Sequence, residues 1–130
     1  MDCLYFEFPA KAQYLLSVRL LVSSIGARID MNIDEIEDLK SGAAEACLAV
    51  MGSGSPARIA CRIEIDGDAL RVRITGEGTS SESPDINPTE AELSRYMLEA
   101  LVEQAEFAQD ESGAIRSVSF LKRRQRRPGR

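Results

Sequence analysis

Apolar positions change period several times along the 130 residues, and each change predicts an element. Leu4-Tyr5-Phe6-Glu7-Phe8 has the aromatic enrichment of a short strand, and Pro9 ends it because proline cannot donate to a ladder. From Ala10 to about Gly26, Tyr14, Leu15, Val18, Leu21, Val22 and Ile25 recur at three- and four-residue intervals, the period of an amphipathic helix. Asn32 and Glu35 form a capping box that opens a second helix, which buries Ile33, Ile36, Leu39, Ala43, Cys47 and Val50. Its opposite face carries Asp38, Ser41, Gly42, Glu45, Ala49 and Gly52, mostly small residues.

Gly52-Ser53-Gly54-Ser55-Pro56 breaks the pattern. Ile59, Cys61, Ile63 and Ile65 then alternate with Arg62 and Glu64, and Leu70, Val72 and Ile74 alternate with Arg71 and Arg73. Asp66-Gly67-Asp68 between them predicts a tight hairpin turn. A Gly, Ser and Pro-rich loop from Gly76 to Pro88 leads to a third helix, for which Thr89 and Glu92 predict the capping box and which runs through Gln104. Glu106-Phe107-Ala108 and Ile115 to Leu121 form a closing hairpin. Strands that are polar on one side favour a largely antiparallel sheet with helices on one face, an α+β two-layer sandwich.

Composition narrows the chemistry. A chain 44% hydrophobic at this length suits one domain with a real core. No apolar run approaches the roughly 18 residues that span a bilayer, and no leader pattern opens the sequence, so a soluble cytoplasmic protein is expected. With no histidine, neither a Ser/His/Asp triad nor a His-metal site can be built. Cys3, Cys47 and Cys61 share no metal-ligand spacing, and no metal site is expected. Six of the 16 basic residues fall in the last nine positions and all 21 acidic residues precede them, which leaves residues 1–121 at a formal -11. Such a body repels phosphate backbones, so direct DNA binding by the domain is not expected. Residues 1–121 are read as the domain and 122–130 as a basic, disordered tail.

Three groups of residues carry a resemblance. Phe8-Pro9-Ala10 leads into a helix bearing Arg19; Ile36-Glu37-Asp38-Leu39 feeds Glu45-Ala46; and Tyr96-Met97-Leu98-Glu99-Ala100-Leu101-Val102-Glu103 precedes Glu106-Phe107. With the element order, these make the chain similar to the anti-sigma factor and serine kinase family, of the histidine-kinase-like ATPase fold, over roughly residues 5 to 122. The resemblance implies a sandwich that holds ATP between the second helix, the loop after the second central strand and a glycine-rich turn before the last helix.

Each implied nucleotide contact can be compared with this sequence. The family's helix motif is Glu-x-x-x-Asn, with the glutamate as general base toward a substrate serine and the asparagine as a Mg²⁺ ligand. Here it reads Glu45-Ala46-Cys47-Leu48-Ala49, so the base position is kept and the metal ligand is a methyl group. The histidine often found shortly after it is replaced by Gly52-Ser53-Gly54. The family's Asp-x-Gly-x-Gly corresponds to Gly76-Glu77-Gly78-Thr79-Ser80. With Gly78 as the first motif glycine the adenine-reading aspartate falls at Gly76, with Gly76 as the first it falls at Ile74, and neither is a carboxylate. The phosphate-cradling glycines are replaced by Pro88-Thr89-Glu90-Ala91-Glu92, with Asp85, Glu90 and Glu92 where a triphosphate needs amide dipoles.

Read without the resemblance, Glu45 is a solvated helix residue, Gly76-Glu77-Gly78 a turn and Arg19 a surface arginine. Read with it, the fold is kept while the nucleotide site degenerates at Ala49, Gly76 and Gly78. No cofactor is then expected, and the chain is a regulator that binds a sigma factor or an anti-anti-sigma antagonist, with Arg19 as the partner contact. The resemblance also implies a homodimer paired through the sheet side. The alternative is an ATP-dependent serine kinase of the antagonist, with Glu45 as the catalytic base and Mg-ATP as cofactor. If only contacts are lost, Ala49→Asn with Gly76→Asp is expected to fold normally.

Overall fold

The computed structural model describes residues 1–125. In chain order the elements are β1 (Asp2–Pro9), a 3-10 turn (Ala12–Tyr14), α1 (Leu15–Arg28), α2 (Ile33–Met51), β2 (Arg58–Asp66), β3 (Ala69–Glu77), α3 (Pro88–Leu101), β4 (Glu103–Gln109) and β5 (Ile115–Arg123). The five strands form one antiparallel sheet in the order β1-β2-β3-β5-β4. Val18, Val22, Leu39, Cys47 and Val50 of the helices meet Ile59, Cys61, Ile63, Val72, Ile74, Val118 and Phe120 of the sheet in one core. This is the α+β two-layer sandwich expected from half-polar strands.

Local chemistry explains most boundaries. The Asn32 side chain accepts from the Glu35 amide at 2.8 Å, and Glu35 Oε1 accepts from the Asn32 amide at 2.7 Å, completing the box that starts α2. Gly67, at φ 62, supplies the left-handed residue of the β2–β3 turn.

Several expectations are corrected. Ile33 is 79% exposed, because it occupies the first position of α2, ahead of the turn that reaches the core. The cap of α3 is Asn87, which accepts from the Glu90 amide at 2.8 Å, and not Thr89. Asparagine is the stronger cap, and Pro88 is suited to the first helical position because its missing N–H would have no helical partner there. The helix ends at Leu101, short of Gln104, which belongs to β4 and has φ 51.

The domain boundary also moves. β5 continues to Arg123, Lys122 Nζ lies 3.2 Å from an Asp38 oxygen, and the Gln125 amide donates to Glu35 Oε2 at 2.6 Å. Residues 122–125 are therefore part of the folded body, whereas the remainder of the expected tail, 126–130, lies outside the described residues.

Candidate functional site

The small-residue face of α2 is covered by α3. A Cβ placed at Gly42 would lie 2.8 Å from Val102 Cγ1 and 3.5 Å from Leu98 Cδ1. One placed at Gly52 would lie 2.5 Å from the Ala91 Cβ and 3.1 Å from the Asn87 carbonyl oxygen. Glycine at these two positions lets α3 approach closely. Ala49, between them on the same face, is fully buried. Asp38 at the N-terminal end of the face is engaged by Lys122 of β5. Glu45 is half-buried and has no hydrogen-bond or ion-pair partner among the described residues.

The β3 end is equally close-packed. Gly76 is buried, and a Cβ there would meet Val50 Cγ1 at 2.8 Å and the Pro56 Cβ at 3.0 Å. That overturns the expectation that Gly76→Asp folds normally, since any side chain would drive into α2 and the Pro56 ring. Arg116 of β5 donates to the carbonyls of Gly76 at 3.3 Å and Gly78 at 3.5 Å. Ser53, near the position of the family histidine, accepts from the Ile115 amide at 2.7 Å. Sequence reasoning missed both. Arg116 alternates with buried Ile115 and was legible only as a polar strand residue. Glu77 turns to the outer side of the sheet, 3.5 Å from the Tyr5 hydroxyl, as strand alternation requires.

At the start of α3 the amide of Glu90 is taken by Asn87, and Asn87 Nδ2 donates to Glu90 Oε1 at 2.9 Å. Pro88 offers no N–H. Asp85 Oδ2 accepts from the Ala12 amide at 3.0 Å and ties the loop to the entry of α1. Clefts of about 310 and 250 Å³ flank this region, and neither is lined by Glu45, Ala49, Gly76 or Gly78. Set against the family's Mg-ATP contacts, Ala49 offers a methyl group in place of an oxygen ligand, neither Gly76 nor Ile74 offers a carboxylate, and the start of α3 is capped by Asn87 beside Glu90. Among the described residues no group of three or more His, Cys, Asp or Glu side chains is placed to hold a metal ion.

α1 presents a different surface. Leu16 is 63% and Leu20 60% exposed, one turn apart, and Arg19 lies between them on the same side. Arg19 is half-buried and makes no hydrogen bond or ion pair among the described residues. The two leucines were also missed. They fall off the core-facing stripe of α1, and a leucine pair away from that stripe is the signal that could have found them.

Comparison with known proteins agrees with the motifs. The chain is 26% identical to a serine-protein kinase RsbW of Bacillus pumilus, over 95% of this chain and 88% of that protein. It is 27% identical to the RsbW of Bacillus subtilis strain 168, over 92% of this chain and 86% of that protein. The chain resembles the anti-sigma factor and serine kinase family. No family model matches it. In fold, it superposes on a crystal structure of the RsbU and RsbW domains of Rv1364c from Mycobacterium tuberculosis with a TM-score of 0.72 and 18% identity. That match covers 98% of this chain and 34% of the larger one. The RsbW-like fold is thus present from β1 to β5. No described helix is long and apolar enough to cross a membrane.

Proposed function

We propose that the chain is a cytoplasmic regulator of the anti-sigma type that works by stoichiometric binding, through α1, to a sigma factor or an anti-anti-sigma antagonist, without bound nucleotide. The observation that carries this reading is the exposed pair Leu16 and Leu20 around Arg19, whose guanidinium has no partner among the described residues. Exposed leucines beside an arginine combine apolar area with a fork that can grip a carboxylate, the composition of an interface anchor. The class of partner comes from the family resemblance. Sequestration needs surface complementarity and no phosphoryl transfer, which accords with a buried Ala49, a filled Gly76 position and a self-capped α3.

A second reading, an ATP-dependent serine kinase of the antagonist, is favoured by Glu45 at the general-base position and by the kinase activity in the relatives' names. Arg19→Ala and Glu45→Ala separate the two. Sequestration predicts that partner affinity falls roughly tenfold or more in Arg19→Ala, about 1.4 kcal/mol, and is unchanged in Glu45→Ala. Phosphoryl transfer lost in Glu45→Ala, or a partner that binds Arg19→Ala as tightly as the parent, contradicts the proposal. Homodimer formation is a separate element of the reading, checked by sedimentation.

A further inference from the structure

Helix α3 turns mostly small side chains inward and large apolar ones outward. Its buried positions are Ala91, Ser94 and Leu98, whereas Leu93 is 61%, Tyr96 64% and Met97 48% exposed. A helix folded onto a core normally places its large apolar residues the other way. Leu93, Tyr96, Met97 and exposed Ala100 recur three and four residues apart, so they form one stripe along the outer side of α3. No other helix covers it. α2 packs on the inner side of α3 through Gly42 and Gly52, and on α1 through Ile36 and Leu39, which keeps α1 on the far flank.

The charges beside the stripe are acidic. Glu92 and Glu99, a heptad apart, follow one flank, and Glu90 opens the other. Arg95 is the basic residue of α3 and is already engaged: its Nε lies 3.6 Å from Glu99 Oε1, and its guanidinium carbon lies 4.6 Å from the centre of the Phe107 ring. Glu90 is held by Asn87 at 2.9 Å, while Glu92 makes no hydrogen bond or ion pair among the described residues. Three glutamates against one arginine leave this surface anionic.

That charge decides the occupant. A second copy of the chain would bring two acidic flanks together, and an anionic lipid surface would be repelled by them. A helix with lysine or arginine beside its own apolar stripe answers both features, because its apolar residues cover Leu93, Tyr96 and Met97 while its cations meet Glu92 and Glu99. Tyrosine supplies such a seam with a large anchor, and methionine adapts to whatever packs on it.

We propose that α3 docks an amphipathic helix of another protein, apolar on one side and basic beside it. The site is separate from the α1 anchor, so it stands or falls independently of that role. It also lies in the helix layer, and a homodimer paired through the sheet side leaves it open.

The test is a titration of the ¹⁵N-labelled full chain with two synthetic amphipathic helices of about 18 residues, which share a leucine stripe and differ in flanking lysine or glutamate. With the lysine peptide, saturable shifts centred on the amides of Leu93, Tyr96, Met97 and Ala100 are expected, at an affinity roughly tenfold above that of the glutamate peptide. Leu93→Gln and Tyr96→Gln should each weaken it roughly tenfold while keeping the parent's urea midpoint, since glutamine suits an exposed helix position. Glu92→Gln should weaken it by roughly twofold to threefold. Shifts that do not saturate, shifts centred on α1, equal affinity for the two peptides, or equal affinity in the variants overturn the proposal. So does a sedimenting dimer, or co-flotation with phosphatidylglycerol vesicles, that Tyr96→Gln abolishes, because either would seat a different occupant on the stripe.

Discussion

Gly76 shows how much of the site lies in single side chains that are absent. With Val50 and Pro56 at 2.8 and 3.0 Å from a would-be Cβ, Gly76→Asp should lower stability by about 3 kcal/mol or more, from overpacking and a buried carboxylate. Urea unfolding of that variant measures it, and a stability equal to the parent's would mean that the β3 end is looser than described. The thiols give a second check at this scale. Burial pushes Cys47 from 9.0 up to about 12 and raises Cys61 as well, whereas Cys3 is exposed. At pH 8 iodoacetamide should therefore label Cys3 alone until the chain is unfolded. Because the folded thiols hold their protons above the pH at which unfolded ones lose them, their contribution is full below the unfolded value. It falls as pH rises above it. Glu45, Ala49 and Arg19 could be placed from the sequence because motif spacing fixes helix positions. Arg116 and Ser53 could not, since their roles depend on strands distant in the chain coming together.

At the scale of elements, composition and periodicity together located the α-helices and strands among the described residues, and the errors fell at ends. Alternation in β2 and β3 and the capping box of α2 are local signals, and the structure carries both. Asn32→Ala should cost about 1 kcal/mol of stability by removing one side of that box, as urea unfolding can show. The C-terminal boundary was misplaced because a run of basic residues reads as a solvated tail, while Asp38, Asp68 and Glu35, which receive it, lie 55 to 90 positions earlier. A chain ending at Leu121 loses the Lys122–Asp38 and Arg123–Asp68 pairs and the Gln125–Glu35 bond. It should unfold about 2 kcal/mol more easily, because Glu35 is buried, Asp38 is only partly exposed and the bond to Glu35 is charge-assisted. A truncated chain as stable as the parent would return these residues to the tail.

For the whole molecule, α3 packs directly on the small-residue face of α2, at Gly42 against Leu98 and at Gly52 against Ala91. The fold class was legible because half-polar strands and amphipathic helices leave few arrangements. The close approach of α2 and α3 was not legible, since the distance between two helices is set by packing that one sequence does not display. We propose that an exposed anchor on α1 makes the chain a nucleotide-independent binding protein. The most direct test is the dissociation constant of its complex with a purified sigma factor or antagonist, measured by calorimetry in nucleotide-free buffer and again with saturating Mg-ATP. The account predicts a complex at or below about 1 μM, near -8 kcal/mol, with the same affinity in both buffers and no phosphate transferred. A complex that forms only with Mg-ATP, or that yields a phosphorylated antagonist, would contradict it.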